Sequence, residues 1–129
     1  MAVSCAPAPR ALLSGEYYGE APTERPGEAR FLEATIKPHK GQYLIEGNAG
    51  YSSGRSVAPD FDGSSTAIGD GTYEFSITDS FGNVGTATVT DIASGISIEI
   101  NIDVTQLMDP RCLSLYGLIE LHGEANQSP

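Results

Sequence analysis

Two stretches of the chain carry side chains of types and spacing that could bind something. The first is Asp60-Phe61-Asp62-Gly63-Ser64-Ser65-Thr66, with Asp70-Gly71 beyond it, and it has the oxygen-rich, glycine-bent look of a calcium loop. An EF-hand needs an oxygen ligand at the fifth position and a glutamate at the twelfth. Ser64 and Gly71 stand at those places. Aspartates beside glycine more simply bond their own backbone in a turn, so no metal site is expected. Asp60 and Asp62 then read as part of a flexible, charged contact surface. The second stretch, Asn48 to Ser56, joins Tyr51, Ser52, Ser53, Gly54 and Arg55. Tyrosine and arginine anchor protein interfaces because each brings area and directed donors at modest entropic cost. One exposed aromatic and one arginine on a small-residue loop are therefore candidate partner-binding residues, set against a plain Gly/Ser turn.

Catalytic signatures are missing from the sequence. It has no Gly-x-Ser-x-Gly elbow, no His-Glu-x-x-His pair and no phosphate-cradling glycine loop. His39 falls in a predicted turn and His122 after the predicted last strand, with no nucleophile or acid placed beside either. Carboxylate pairs are many, but on an acidic β-surface they arise by number alone. The expectation is a protein with no catalytic residues and no cofactor.

Cys5 and Cys112 are the two cysteines, and three readings of them stand open. They could form a disulfide, because in an up-and-down barrel the first and last strands are neighbours. Such a bridge closes a loop of about 100 residues and contributes up to about 4.7 kcal/mol in the chain-entropy picture. Cys5 could instead carry a lipid, since Ala2-Val3-Ser4-Cys5 is similar to the end of a bacterial lipoprotein signal, with Ala2 where that signal prefers leucine. Both imply an extracytoplasmic address. The third reading is two plain thiols. Metal ligation has no Cys-x-x-Cys or His-x-x-x-His spacing to support it.

Charge narrows the choice of partner. Seventeen acidic against seven basic residues give −10, which argues against nucleic acid and anionic membrane surfaces and favours a basic protein. Residues 1–55 hold six of each sign, whereas residues 56–110 hold nine carboxylates and no lysine or arginine. That segment is either a solvated sheet face or a field that steers a cationic partner. With no apolar run long enough for a membrane span, contact with a membrane is expected only through a lipid on Cys5.

The elements that must position these residues are strands. From Gly95 to Val104 every even position is Ile or Val and the odd positions from 97 to 103 are polar, the period of a half-buried strand. Tyr73, Phe75 and Ile77 alternate likewise, turn at Asp79-Ser80-Phe81-Gly82-Asn83, and return through Ala87 and Val89 as a hairpin. A second hairpin joins Leu32-Ala34-Ile36 to Gln42–Glu46 across Pro38-His39-Lys40-Gly41. Glu16–Gly19 reads as a first strand, and Leu113, Leu115, Gly117, Ile119 and Leu121 as one face of the last. Short strands are drawn near Arg55–Val57 and Thr66–Ile68, and helix is limited to single turns at Pro9–Leu13 and Thr105–Met108. Connectors this short allow only antiparallel pairing. The expected fold is all-β: an up-and-down meander of seven or eight strands forming a small closed or partly open barrel, with a β-sandwich as the alternative. Its parts are an N-terminal segment at 1–13, one barrel domain at 14–123 and a tail at 124–129.

Three segments, Gly15-Glu16-Tyr17-Tyr18-Gly19, Asp79 to Thr86, and Cys112-Leu113-Ser114-Leu115-Tyr116-Gly117, together resemble the small periplasmic β-barrel proteins of Gram-negative bacteria, the lipocalin-like and lysozyme-inhibitor-like group. Members of the inhibitor group carry Ser-Gly-x-x-Tyr on a loop that enters the enzyme's cleft. Here Ser53-Gly54-Arg55-Ser56-Val57 keeps the Ser-Gly, while the tyrosine, Tyr51, lies before it. The resemblance implies a periplasmic or secreted protein, lipid-anchored if Cys5 is acylated, that blocks a basic cell-wall hydrolase without catalysis. The rival expectations are a lipocalin-like carrier of a small apolar ligand and a structural envelope lipoprotein.

Overall fold

In a computed structural model, residues 14–67, 71–93 and 95–125 are described. They form eight antiparallel strands closed into an up-and-down barrel, each strand hydrogen-bonded to the next and the eighth to the first. The strands are β1 Gly15–Pro22, β2 Ala29–His39, β3 Gln42–Tyr51, β4 Asp60–Ala67, β5 Thr72–Asp79, β6 Val84–Ile92, β7 Gly95–Ile102 and β8 Leu118–Ala125. The expected barrel is thus present and the sandwich is not.

Period-two patterning does the sorting. Leu32, Ile36, Ile45, Phe75, Val89, Ile96, Ile98 and Leu121 point inward and are essentially inaccessible to water. Ala34, Ala49 and Ala87 lie between them, also buried. Small and large residues alternate around the interior, which is how an eight-stranded barrel fills its own lumen. Outward positions such as Glu74, Ser76 and Thr78 on β5 are exposed. The wall therefore carries carboxylates and hydroxyls where a lipid-facing barrel carries an apolar band.

Turn chemistry and close approach set the curvature. Lys40 and Gly41, both at positive φ (51° and 81°), make the two-residue turn between β2 and β3. Gly63 faces inward where β4 meets β5, and a Cβ there would lie 1.9 Å from the Ser76 carbonyl oxygen. No larger residue fits without moving the backbone.

Several expectations change in the structure. Asp60–Ala67 is strand β4 and not a loop; its inward residues are Phe61, Gly63 and Ser65, two of them small, so the apolar alternation that marks a strand is faint. Arg55–Val57 is irregular. His122 lies in β8 and His39 closes β2. Leu113 and Leu115 are not in the last strand: Pro110–Leu115 is a 3₁₀-helix opened by Pro110 and capped by the Asp109 side chain, which accepts from the Arg111 amide. A second 3₁₀ turn, Val104–Gln106, is capped by Asp103 in the same way. Cys5, Pro9–Leu13, Ile68 and Asp70 lie outside the described residues.

Candidate functional site

Up-and-down order places the β1–β2, β3–β4, β5–β6 and β7–β8 connections at one end of the barrel. There the 103–117 connection lies across the opening as a cap. A buried polar cluster fastens it. The Asp79 carboxylate, on a residue 5% exposed, accepts from the amides of Phe81 (2.9 Å) and Asn83 (2.9 Å), from Asn83 Nδ2 (3.0 Å) and from the Tyr116 hydroxyl (2.8 Å). Asn83 Oδ1 in turn accepts from the amides of Met108 (2.8 Å) and Asp109 (3.0 Å). Arg30 reaches across to the carbonyls of Leu115 (3.2 Å) and Leu118 (3.1 Å). Burial, reinforced by Asp79, holds the Tyr116 hydroxyl far above its ordinary pKa.

Cys112 sits within this cap as a free, fully buried thiol, pushed up to about 11 by burial first and then by the charges of Asp79 and Asp109. Such a thiol is a poor nucleophile. β1 starts at Gly15 on the far end of the barrel, where it pairs with Ala125, so neighbouring strands do not by themselves bring the segment before Gly15 to Cys112.

The Tyr51–Arg55 stretch belongs to the same end and is tied down. Tyr51, expected to be exposed, is 7% exposed and hydrogen-bonds Ser114 Oγ at 2.6 Å. Its position as the last residue of β3 turns its ring toward the core. The Arg55 guanidinium lies 3.9 Å from the Tyr51 ring centroid and forks onto Glu28, Nε to Oε2 at 2.7 Å and Nη2 to Oε1 at 2.9 Å. Ser53 also donates to Glu28 (2.5 Å), and Ser52 Oγ accepts from the Ala29 amide (3.0 Å). Gly54, at positive φ, turns the loop. The Arg55 fork and the serine and threonine hydroxyls hold the Glu28 carboxyl down at about 2. These residues join two loops of the barrel to each other.

Asp60 and Asp62 project from β4 onto the outer wall. They line an open groove of about 620 Å³ with Glu33 and Glu46, and a second groove of about 500 Å³ continues from it past Asp62 toward Lys37 and Ser76. Glu46 is directly opposite Asp62 in the β3–β4 register, and Glu33 is opposite Asn48, itself opposite Asp60. Like charges directly across a strand pair destabilise it. Among the described residues, none of these four carboxylates has a cationic partner within ion-pair distance. They hold no arrangement suited to a metal ion, since no group of three or more potential ligands converges among the described residues.

The acidic stretch 56–110 is not one surface. Asp79 is buried, Asp103 and Asp109 cap 3₁₀ turns, and Asp60, Asp62, Glu74 and Glu99 are spread around the wall. Two of the groove's exposed carboxylates, Glu33 and Glu46, come from the segment whose net charge is zero. Counting along the chain missed them. The two-residue turn at Lys40–Gly41 would have found Glu33, because it fixes the pairing of Glu33 with Asn48. Compared with known proteins, the chain matches no protein-family model, no curated protein and no solved structure. The class that can be stated is the architecture itself, a closed eight-stranded up-and-down barrel with a capped end and an acidic outer wall.

Proposed function

We propose that this protein is a non-catalytic binding protein that captures a basic protein outside the cytoplasm, and that a cationic cell-wall hydrolase held inactive is the partner that fits best. One observation carries the reading: Glu33, Glu46, Asp60 and Asp62 line one open groove, with Glu46 and Asp62 in direct opposition and no ion pair to any of the four among the described residues. The barrel spends stability to keep that field, and a cationic surface would relieve the repulsion while the field speeds encounter. The filled interior favours this role over carriage of an apolar ligand, because large side chains occupy the lumen and both grooves lie outside the wall. Periplasmic or secreted location, and a lipid on Cys5, belong to the same proposal.

The test is to titrate the full chain with a cationic lysozyme at about 25 and 250 mM salt, where screening separates steering from contact, and to follow lysis of cell walls. Binding that weakens about ten-fold with salt and slows lysis in proportion to occupancy is the expected result. Lysis at full rate with saturating protein, or no binding at low salt, overturns the inhibitor reading.

A further inference from the structure

One outward patch on the same wall is not explained by solubility or by packing. On β1 and β2 the register sets Tyr18 opposite Glu33 and Glu20 opposite Phe31. All four are outward positions, so two aromatics and two carboxylates form a chequered square. The Tyr18 and Phe31 rings stack with centroids 6.2 Å apart and an interplanar angle of 21°. Phe31 is supported from beneath: a Cβ on Gly50, opposite it on β3, would lie 3.0 Å from its ring, so the ring covers the bare backbone of that glycine. That packing role accounts for Phe31. It leaves Tyr18, which is 42% exposed and whose hydroxyl donates to Glu20 Oε2 at 2.5 Å. The bond to Glu20 pushes that hydroxyl up to about 12 and keeps it a donor at any physiological pH. Neither Glu20 nor Glu33 has a cationic partner among the described residues.

Resting on the basic-partner reading above, we propose that the Tyr18–Phe31 pair, framed by Glu20 and Glu33, is the anchor point for an arginine in an extended basic segment of the partner. A planar guanidinium stacks on an aromatic face and forks to carboxylates beside it, which an ammonium does less well. The patch is continuous with the acidic groove through Glu33. Tyr18, Glu33, Asn48 and Asp60 follow one another in register across β1 to β4. Neighbouring strands are about 4.8 Å apart, so Glu33 and Asp60 are separated by about 10 Å. An extended chain crossing the strands repeats its side-chain direction every 6–7 Å or so, which lets one arginine sit on Tyr18 while later basic residues reach the groove.

The probe is a nine-residue peptide of alternating alanine and arginine, followed by backbone amide shifts of the full chain at low salt. Perturbations centred on residues 16–20 and 31–35 are expected. Tyr18→Ala should weaken binding about five-fold, Tyr18→Phe should leave it near wild type, and a lysine version of the peptide should bind about five-fold more weakly, the usual scale of an exposed cation–π contact. Glu33→Gln should cost about three-fold, and Glu74→Gln, on β5 across the barrel from β1, nothing. Thermal melts of each variant confirm that the barrel is folded. Binding that maps only to the cap or to the Glu74–Glu99 wall, or that is unchanged in Tyr18→Ala, overturns this anchor while leaving the basic-partner reading intact. No binding of the arginine peptide anywhere overturns both.

Discussion

The capped end and the outer wall of β1 to β4 treat the same kind of side chain in opposite ways. At the cap, Asp79 is enclosed and takes four hydrogen bonds, and Glu28 takes an arginine fork and two hydroxyls. On the wall, Glu46 lies directly opposite Asp62, and both are exposed. Burial explains the first arrangement, since an enclosed carboxylate without donors would cost several kcal/mol. Nothing in packing requires the second. Acids that hold the fold together are thus at one end, and acids set directly opposite each other are on one side of the wall.

Removing Asp79 should break the contrast most. Asp79→Ala leaves the Tyr116 hydroxyl, an Asn83 amide group and two backbone amides without their acceptor, and about 4 kcal/mol of stability should be lost. Urea denaturation monitored by circular dichroism measures it, and a loss under 1 kcal/mol would show that the cap is not fastened there. Next comes the wall's curvature: Gly63→Ala forces a methyl against the Ser76 carbonyl and should cost about 3 kcal/mol. Near-wild-type stability in that variant would mean that β4 and β5 can separate without consequence.

Glu28 gives a pH signature. Its folded pKa of about 2 lies below the ordinary 4.5, so its stabilising contribution is complete above pH 4.5 and is lost as pH falls toward 2. Melting temperatures recorded across pH 6 to 2 should fall more steeply in the wild type than in Glu28→Gln over that window; parallel curves would rule out this pairing as the source. The smallest effect belongs to the wall. Glu46→Gln should raise stability by about 0.5 kcal/mol at low salt, an advantage that added salt removes, because the repulsion from Asp62 is exposed and screened. A loss of stability at low salt would mean that Glu46 is holding something in place.

How much of this could be read in advance depends on the size of the inward residues. Where they are Ile, Val, Phe or Tyr, as in β5 and β7, alternation with polar neighbours announces the strand. In β4 the inward pair Gly63 and Ser65 erases the contrast, and the strand reads as a loop. At 110–117 the opposite happens: Leu113 and Leu115 have strand spacing, yet Pro110 and the Asp109 cap start a 3₁₀ turn that exposes one and buries the other. Tyr51 reads as exposed because its neighbours are small and polar, but strand parity places its ring inside. The groove was half legible: Asp60 and Asp62 stand out in sequence, whereas Glu33 and Glu46 join them only through register. Tyr18 and Phe31 look unremarkable until β1 and β2 are paired.

Seven of the eight strand pairings join elements adjacent in the chain, and the remaining one sets Gly15 beside Ala125. Assembly can proceed hairpin by hairpin, at the speed of local contacts, until that last seam, whose formation must close a ring through all eight strands. The order of events is therefore written into where the chain is cut. A circular permutant linking Ala125 to Gly15 and opened between Lys40 and Gly41 would turn the seam into a fast hairpin and leave β2 and β3 to find each other last.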